Sequence, residues 1–185
     1  MKLSYRLAEK NDYQKILPLA EQELNSGQGY EEYMRAIFDE LGKNAFGIVA
    51  CREEEIIGFA FLEKGLALTG GREDFFPEIK KDIGGEEIWT GAAYAVTDEY
   101  LNCKVGSALY IYALSHLEDI GAKHLLLEIW VRPDGYAPSN ANLATAGRYT
   151  EYGVVENFYA HAAGYICPVC GARCKCSAKI AVVHI

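Results

Sequence analysis

The residues Val105, Ala108, Leu109, Tyr112, Ala113, His116, Leu117 and Ile120 form one helical stripe, and Gly121 sits where a helix C-cap belongs. Two runs of strand character flank this helix, Ile88 to Val96 before it and Leu125 to Val131 after it. The later run is apolar on both faces, as expected of a strand in the middle of a sheet covered on both sides. Such a helix between such strands argues for a mixed α/β sheet with helices packed on it.

The rest of the chain fits that frame. Leu3 to Leu7 reads as a short strand, and Asn11 with Gln14 reads as a capping box that opens a helix carrying Ile16, Leu17, Ala20 and Leu24. A second helix runs from about Tyr30 to Leu41 and ends at Gly42. Ala45 to Cys51 and Ile56 to Leu62, joined by Arg52-Glu53-Glu54-Glu55, read as an antiparallel hairpin. The connection from Lys64 to Glu87 holds glycine pairs, Gly70-Gly71 and Gly84-Gly85, around a turn or two of predicted helix, Glu73 to Lys81. A connection of this length is often functional. Pro133 to Gly147 is loop-like, Val154, Val155, Phe158, Tyr159 and Ala162 give another helical stripe, and Lys179 to Ile185 reads as a closing strand. No repeat or Pro/Ser-rich linker divides the chain, so residues 1–185 are expected to form one domain.

The 185 residues carry 18 Lys+Arg against 26 Asp+Glu, a net charge of -8. Binding to duplex nucleic acid needs clustered basic side chains, so nucleic acid is not an expected partner. Residues 1–100 hold 11 basic and 20 acidic side chains, and residues 101–185 hold 7 and 6. If the halves face different ligands, the first would tolerate a cation and the second an anion. No apolar stretch approaches the roughly 20 residues of a membrane span, and the N-terminus turns polar too early for a signal peptide. A cytoplasmic protein with no membrane partner is expected.

A strand that delivers the chain through a tight turn into a long helix makes an anion cradle, because helix N-termini present unpaired amides and partial positive charge. Ala95-Val96-Thr97-Asp98-Glu99-Tyr100-Leu101-Asn102-Cys103-Lys104-Val105-Gly106-Ser107-Ala108-Leu109 is such an element. Two readings of Gly106 stand side by side: close approach of the backbone to a pyrophosphate, or close packing of the helix.

This segment is similar to the acetyl-CoA-binding motif of the GNAT acetyltransferases: a strand ending in Val, an acidic-aromatic turn, an Arg/Gln-x-x-Gly-x-Gly/Ala loop and a long helix. Val96 matches the strand end and Glu99-Tyr100 the turn, while Leu101, Lys104 and Gly106 fall on the three signature positions of the loop. Leu101 and Lys104 depart from the pattern. The resemblance, which extends in element order to about residue 165, implies a single-domain α/β fold with a mixed, mostly antiparallel central sheet flanked by helices. It implies acetyl-CoA as co-substrate, held by Ala95, Val96, Lys104, Val105, Gly106, Ser107 and Ala108. It places the acceptor against residues 11–42 and 64–87, which lie in the acidic half, so a cationic small-molecule or peptide amine is favoured.

Transfer of an acetyl group to an amine needs a base for the ammonium proton and an acid for the departing thiolate. The fourth strand lacks the Glu that many members of the family carry, and Glu128, interrupting the apolar run Leu125 to Trp130, is the candidate base. A Glu paired with a cation across the sheet is the alternative reading. For the acid, usually a Tyr on the helix after the fifth strand in this family, two registers compete. Tyr159 before Gly164-Tyr165 is favoured over Tyr149 before Gly153-Val154.

Cys167, Cys170, Cys174 and Cys176 fall within ten residues, while Cys51 and Cys103 stand alone. Cys167-Pro168-Val169-Cys170-Gly171 resembles a zinc-ribbon knuckle, and Cys174 and Cys176, two apart on an extended segment, would point to one face and complete four ligands. Structural zinc at 167–176, inside a C-terminal hairpin, is the leading expectation, with disulfides, an iron-sulfur cluster or free thiols as alternatives; His161 is near enough to substitute as a ligand. The functional expectation is an acetyl-CoA-dependent N-acetyltransferase. The second reading is a catalytically silent GNAT-like domain acting as a zinc-stabilised interaction or sensor module. The oligomeric state is not legible in the sequence.

Overall fold

All residues of Ala45–Cys51 and of 56–62 are buried, the first in strand β2 (Ala45–Arg52) and the second in β3 (Glu55–Lys64). Successive side chains on a strand point to opposite faces, so a strand buried at every position must be covered on both sides. On one face Ile48, Ala50, Ile57 and Leu62 meet Val105, Leu109, Ala113 and Leu117 of helix α4 (Val105–Asp119). On the other, Val49, Phe59 and Phe61 meet Ile16 and Ala20 of α1 (Tyr13–Glu23) and Met34, Ile37 and Phe38 of α2 (Gln28–Asp39). Leu109 and Leu117 have no exposed surface, and burial of each contributes roughly 2–3 kcal/mol.

The computed structural model describes residues 3–66, 76–137 and 139–185. Among them, five further strands complete a seven-stranded sheet: β1 (Leu3–Leu7), β4 (Ile88–Val96), β5 (His124–Val131), β6 (Tyr149–Val155) and β7 (Ser177–His184), in the order β1-β2-β3-β4-β5-β7-β6. Only the β4–β5 pair is parallel, as the intervening α4 requires. The expected mixed, mostly antiparallel α/β sheet flanked by helices is therefore the observed architecture.

Three local expectations are corrected. The predicted helix over 73–81 is α3 (Phe76–Asp82) where described, and Gly70-Gly71 lies outside the described residues. Asn11 and Gln14 do not cap α1: a 3₁₀ turn, Lys10–Asp12, leads into it. Asp12 accepts the Glu9 N–H at 2.8 Å and both terminal guanidinium nitrogens of Arg6 at 2.7 and 2.8 Å, which tie the turn to β1.

The third correction concerns the stripe over 154–162. Val154 and Val155 end β6, and Phe158 and Tyr159 belong to a 3₁₀ turn, Phe158–His161, entered through Asn157 in the left-handed region at φ 52°. The helix lies earlier, as α5 (Asn140–Ala146), inside the segment read as loop. Helical spacing loses here because β7 needs an outer partner, and the β-branched Val154 and Val155 pair with Lys179 and Ala178.

Lys104, at the N-cap of α4, has φ 63° and ψ 9°. A side chain in this left-handed region costs roughly 1–2 kcal/mol, which explains why a glycine suits the position. Lys104→Gly removes that cost but adds freedom to the unfolded chain, so a net gain of about 0.5–1 kcal/mol, or about 1–4 °C in melting temperature, is expected. Lys104→Ala, which keeps the strain, should leave the melting temperature unchanged; equal behaviour of the two variants would contradict the argument.

At one end of the sheet a polar chain joins four segments. Glu86 Oε2 lies 2.9 Å from His124 Nε2, His124 Nδ1 lies 3.2 Å from His184 Nδ1, and His184 Nε2 lies 2.9 Å from Thr150 Oγ1. Two facing Nδ1 atoms share one proton, so one ring donates and the other accepts in this contact. Burial, then His124 and Arg148, hold the His184 pKa below its usual value against the opposing pull of Asp82. The unfolded chain therefore takes up this proton first as pH falls, and stability present above about pH 6.5 is lost below it. The melting temperature should fall between pH 7.5 and 5, and His184→Gln should flatten that slope.

Candidate active site

β4 and β5 pair only at Ile88–His124, Trp89–Leu125 and Thr90–Leu126. Beyond Thr90 they part, and β4 keeps β3 alone as its neighbour through Val96. The register of β3 against β4 shifts between Phe61 and Leu62, which oppose Ala93 and Gly91 and leave Ala92 as an extra residue. Such a bulge bends a strand away from its neighbour. The parting strands open a cleft of about 560 Å³, and one edge of β4 turns its backbone polar groups into it.

The N-terminus of α4 forms one end of this cleft. The 3₁₀ turn Asp98–Tyr100 is held by Arg52, whose Nη1 donates to the Tyr100 hydroxyl at 2.6 Å. Leu101, Asn102, Lys104, Gly106 and Ser107 line the cleft, and no backbone acceptor among the described residues takes the N–H groups of residues 104–107. Asn102 and Lys104, at φ 62° and 63°, turn this stretch of backbone into a concavity that suits an anion. A Cβ added at Gly106 would stand 2.7 Å from the Tyr94 hydroxyl, so this glycine also allows close packing. The close-packing reading of Gly106 is thus realised.

Of the expected cofactor residues, Ala95, Val96, Lys104, Gly106 and Ser107 line the cleft. Val105 is instead fully buried in the core beneath α4, and Ala108 lies outside the lining.

Buried polar groups in folded proteins nearly always have partners. Among the described residues, Tyr13, Tyr30, Tyr94 and Tyr110 hydroxyls and the Arg132 Nε are buried without one. All but Tyr13 line this cleft. Asn142 stands close enough to Tyr94 to offset part of the burial that pushes its phenol up to about 12. Donors and acceptors gathered in one cavity in this way are available to a ligand or to water.

The opposite end is a cluster of carboxylates and tyrosines. Tyr159 and Glu128 both line the cleft, close enough for the Glu128 carboxylate to act on the Tyr159 hydroxyl. Burial first, then Glu128, raises the Tyr159 pKa well above its ordinary value, so the phenol is protonated at neutral pH. The Tyr33 hydroxyl lies 3.4 Å from Glu63 Oε1 and 3.3 Å from the Ala92 carbonyl. Burial raises the Glu63 carboxyl, opposed by Tyr33, and burial with Glu128 and Glu63 pushes Tyr165 up to about 12. Tyr149 starts β6, is 40% exposed and does not line the cleft.

Sequence reasoning missed Glu63, Tyr30, Tyr33 and Tyr165. Glu63 ends the apolar run of β3 as Glu128 interrupts that of β5, and that parallel was the available signal. The tyrosines gave none, since the approach of Tyr30 and Tyr33 depends on how α2 crosses the sheet and that of Tyr165 on the path of the chain between Phe158–His161 and β7.

The four clustered cysteines converge between β6 and β7. Their Sγ atoms lie within 4.8 Å of one another, with Cys167–Cys176 at 3.9 Å and Cys170–Cys176 at 3.6 Å. Four thiolates about 2.3 Å from a tetrahedral zinc stand about 3.8 Å apart, so the donor set fits that ion. Paired hydrogen bonds between Cys167 and Gly171 shape the turn, and the Cys176 N–H points at Cys174 Sγ at 3.4 Å. The three-residue gap between Cys170 and Cys174 does not prevent convergence, because Cys174 is carried back beside Cys176. Trp130 and Tyr159 pack on the cluster, and Cys167 and Cys174 also line the cleft. Cys51 is buried and Cys103 exposed, both away from the cluster, and the His161 side chain lies outside the described residues.

No protein of curated function matches the sequence. Solved structures do match the fold. Arabidopsis thaliana NAA60 in complex with acetyl-CoA aligns with a TM-score of 0.69 at 14% identity, over 100% of this chain and 99% of that one. The ribosomal-protein-S18-alanine N-acetyltransferase of Escherichia coli aligns with a TM-score of 0.65 at 16% identity, over 100% and 94%. A GNAT-family acetyltransferase from Streptococcus pneumoniae gives 0.64 at 15%, over 100% of both chains. The model of the acetyltransferase (GNAT) family matches residues 11–143, which hold the parted strands and the N-terminus of α4. The chain therefore belongs to the GNAT acetyltransferase family.

Proposed function

We propose that the protein transfers an acetyl group from acetyl-CoA to a primary amine of a cationic acceptor. The observation that carries this reading is the placing of orphaned Tyr94 and Tyr110 hydroxyls and free α4 amides in one cleft with the Glu128–Tyr159 pair. The amides of residues 104–107 would receive the pyrophosphate, and the free edge of β4 near Ala95 and Val96 would hold the pantetheine arm and polarise the thioester carbonyl. Lys104 already takes the backbone conformation that the family's glycine would supply, which weakens the case for a silent domain.

In the reaction the amine nitrogen forms a bond to the acetyl carbon and the carbon–sulfur bond breaks. An alkylammonium has a pKa near 10.4, so it first gives a proton to solvent. Glu128 takes the second proton as the new bond forms, and Tyr159 gives its hydroxyl proton to the thiolate and recovers one from Glu128. The net result is an amide and a free thiol.

The four thiols are read as ligands of one structural zinc ion. A closed four-thiolate shell leaves no open position for a reactant, so the ion's contribution is folding energy at the base of the β6–β7 connection. A reducing, cytoplasmic setting is part of this reading.

Saturating acetyl-CoA should raise the melting temperature through preferential binding to the folded state. Tyr159→Phe should lower kcat about 10²-fold while leaving the KM for acetyl-CoA unchanged, and Tyr149→Phe should alter neither. An unmoved melting curve would favour the silent-domain reading instead. Metal analysis of untagged protein should find about one zinc per chain, whereas a folded, metal-free sample with four titrating thiols would remove the metal from the account.

A further inference from the structure

The segment from Ala162 to Cys167 leaves the 3₁₀ turn and crosses to the loop between α1 and α2. There Ser26 donates its N–H to the Ile166 carbonyl at 3.0 Å, and Ile166 donates back to Ser26 at 2.8 Å. Three glycines let the two backbones touch with no side chain between them. A Cβ at Gly27 would stand 2.4 Å from the Gly164 oxygen, one at Gly29 would stand 2.3 Å from the Ala163 oxygen, and one at Gly164 would stand 3.0 Å from the Gly29 nitrogen. Tyr165 then sets its ring edge-on to Tyr30, with centroids 5.3 Å apart.

This strap completes a hoop. From β4 the contacts run through the Ala92 carbonyl to Tyr33 on α2, along the α1–α2 loop to Ser26, and across the bridge to Ile166 and Cys167. They continue through the cysteine cluster to Trp130 on β5, and β5 rejoins β4 at Thr90–Leu126. Leu24 and Asn25 on one side of the bridge and Cys167 on the other line the cleft, so the bridge stands on its rim. A polypeptide laid across the sheet meets this backbone-to-backbone contact, whereas a slender molecule can enter end-on. Inside the rim stand the Glu128 carboxylate and the Tyr30 hydroxyl, which is buried and has no partner among the described residues, and Glu63 lies beyond Tyr33, 3.4 Å from its hydroxyl. An entering ammonium would supply the Tyr30 hydroxyl with a donor and the Glu128 carboxylate with a counter-charge.

We infer that the strap restricts the acceptor to a small alkylammonium entering end-on, and that polypeptide amines are excluded. This rests on the acetyltransfer reading above and narrows its acceptor. The probes are 1,4-diaminobutane and a ten-residue peptide with a free N-terminus and an internal lysine, assayed by release of CoA. The diamine should be acetylated with a kcat/KM at least about 10²-fold above that of the peptide. Gly29→Val should push the strap away, raise the KM for the diamine and narrow the gap to the peptide, with the KM for acetyl-CoA unchanged. Ser26→Pro, which removes one bridging N–H and adds no bulk at the glycine contact, should act in the same direction if Gly29→Val fails to fold. Equal acetylation of the two probes by the wild-type protein overturns the inference alone, as does acetyl-CoA binding with neither probe acetylated. Absence of any acetyl-CoA-induced shift in melting temperature overturns the acetyltransfer reading and this inference with it.

Discussion

The pairing of β4 with β5 stops after three residue pairs, and the site depends on that interruption. A parallel pair that ran on would satisfy the β4 backbone and leave no room between the strands. The bulge at Ala92 turns β4 away, and the Ala92 carbonyl takes the Tyr33 hydroxyl as its hydrogen-bond partner. The sheet survives the break because each half is secured separately, β1 to β4 by antiparallel ladders and β5 by its eight-residue pairing with β7. α4 spans the gap, packing on Ile57 and Leu62 from one half and Leu125 and Ile129 from the other. Its N-terminus is consequently held at the mouth of the cleft by apolar burial rather than by any contact a ligand must supply.

The far end of the cleft depends on a different constraint. The β6–β7 connection carries more than twenty residues, and a loop of that length would ordinarily cost order. Three things hold it: the converging thiols, the burial of Phe158 among Leu126, Ile180 and Val182, and the bridge to Ser26. Tyr159 sits between the first two, so its phenol meets Glu128 only because both anchors are in place. The proposed metal would therefore influence the chemistry through position alone.

Much of this was legible in the sequence where burial is periodic. The stripe of α4 and the doubly apolar β5 named the sheet and the turn between them, and Glu128 was visible as a charge inside an apolar run. The stripe over 154–162 misled because Val154, Val155 and Phe158 are apolar for a strand edge and a loop anchor, and spacing alone does not distinguish these from a helix. Glu63, Tyr30 and Tyr33 were silent because their meeting is tertiary. The strap was likewise hidden, since Gly27, Gly29 and Gly164 acquire meaning only once two segments more than a hundred residues apart are seen in contact.

The central claim is that the parted strands and the start of α4 together form a cofactor cradle. Amide hydrogen exchange, followed residue by residue with and without CoA, tests it most directly. Protection on adding CoA should concentrate at residues 93–96 and 102–108, with the β1–β2 and β5–β7 ladders unchanged. Protection that is absent there, or that appears instead along the β6 edge, would contradict the account.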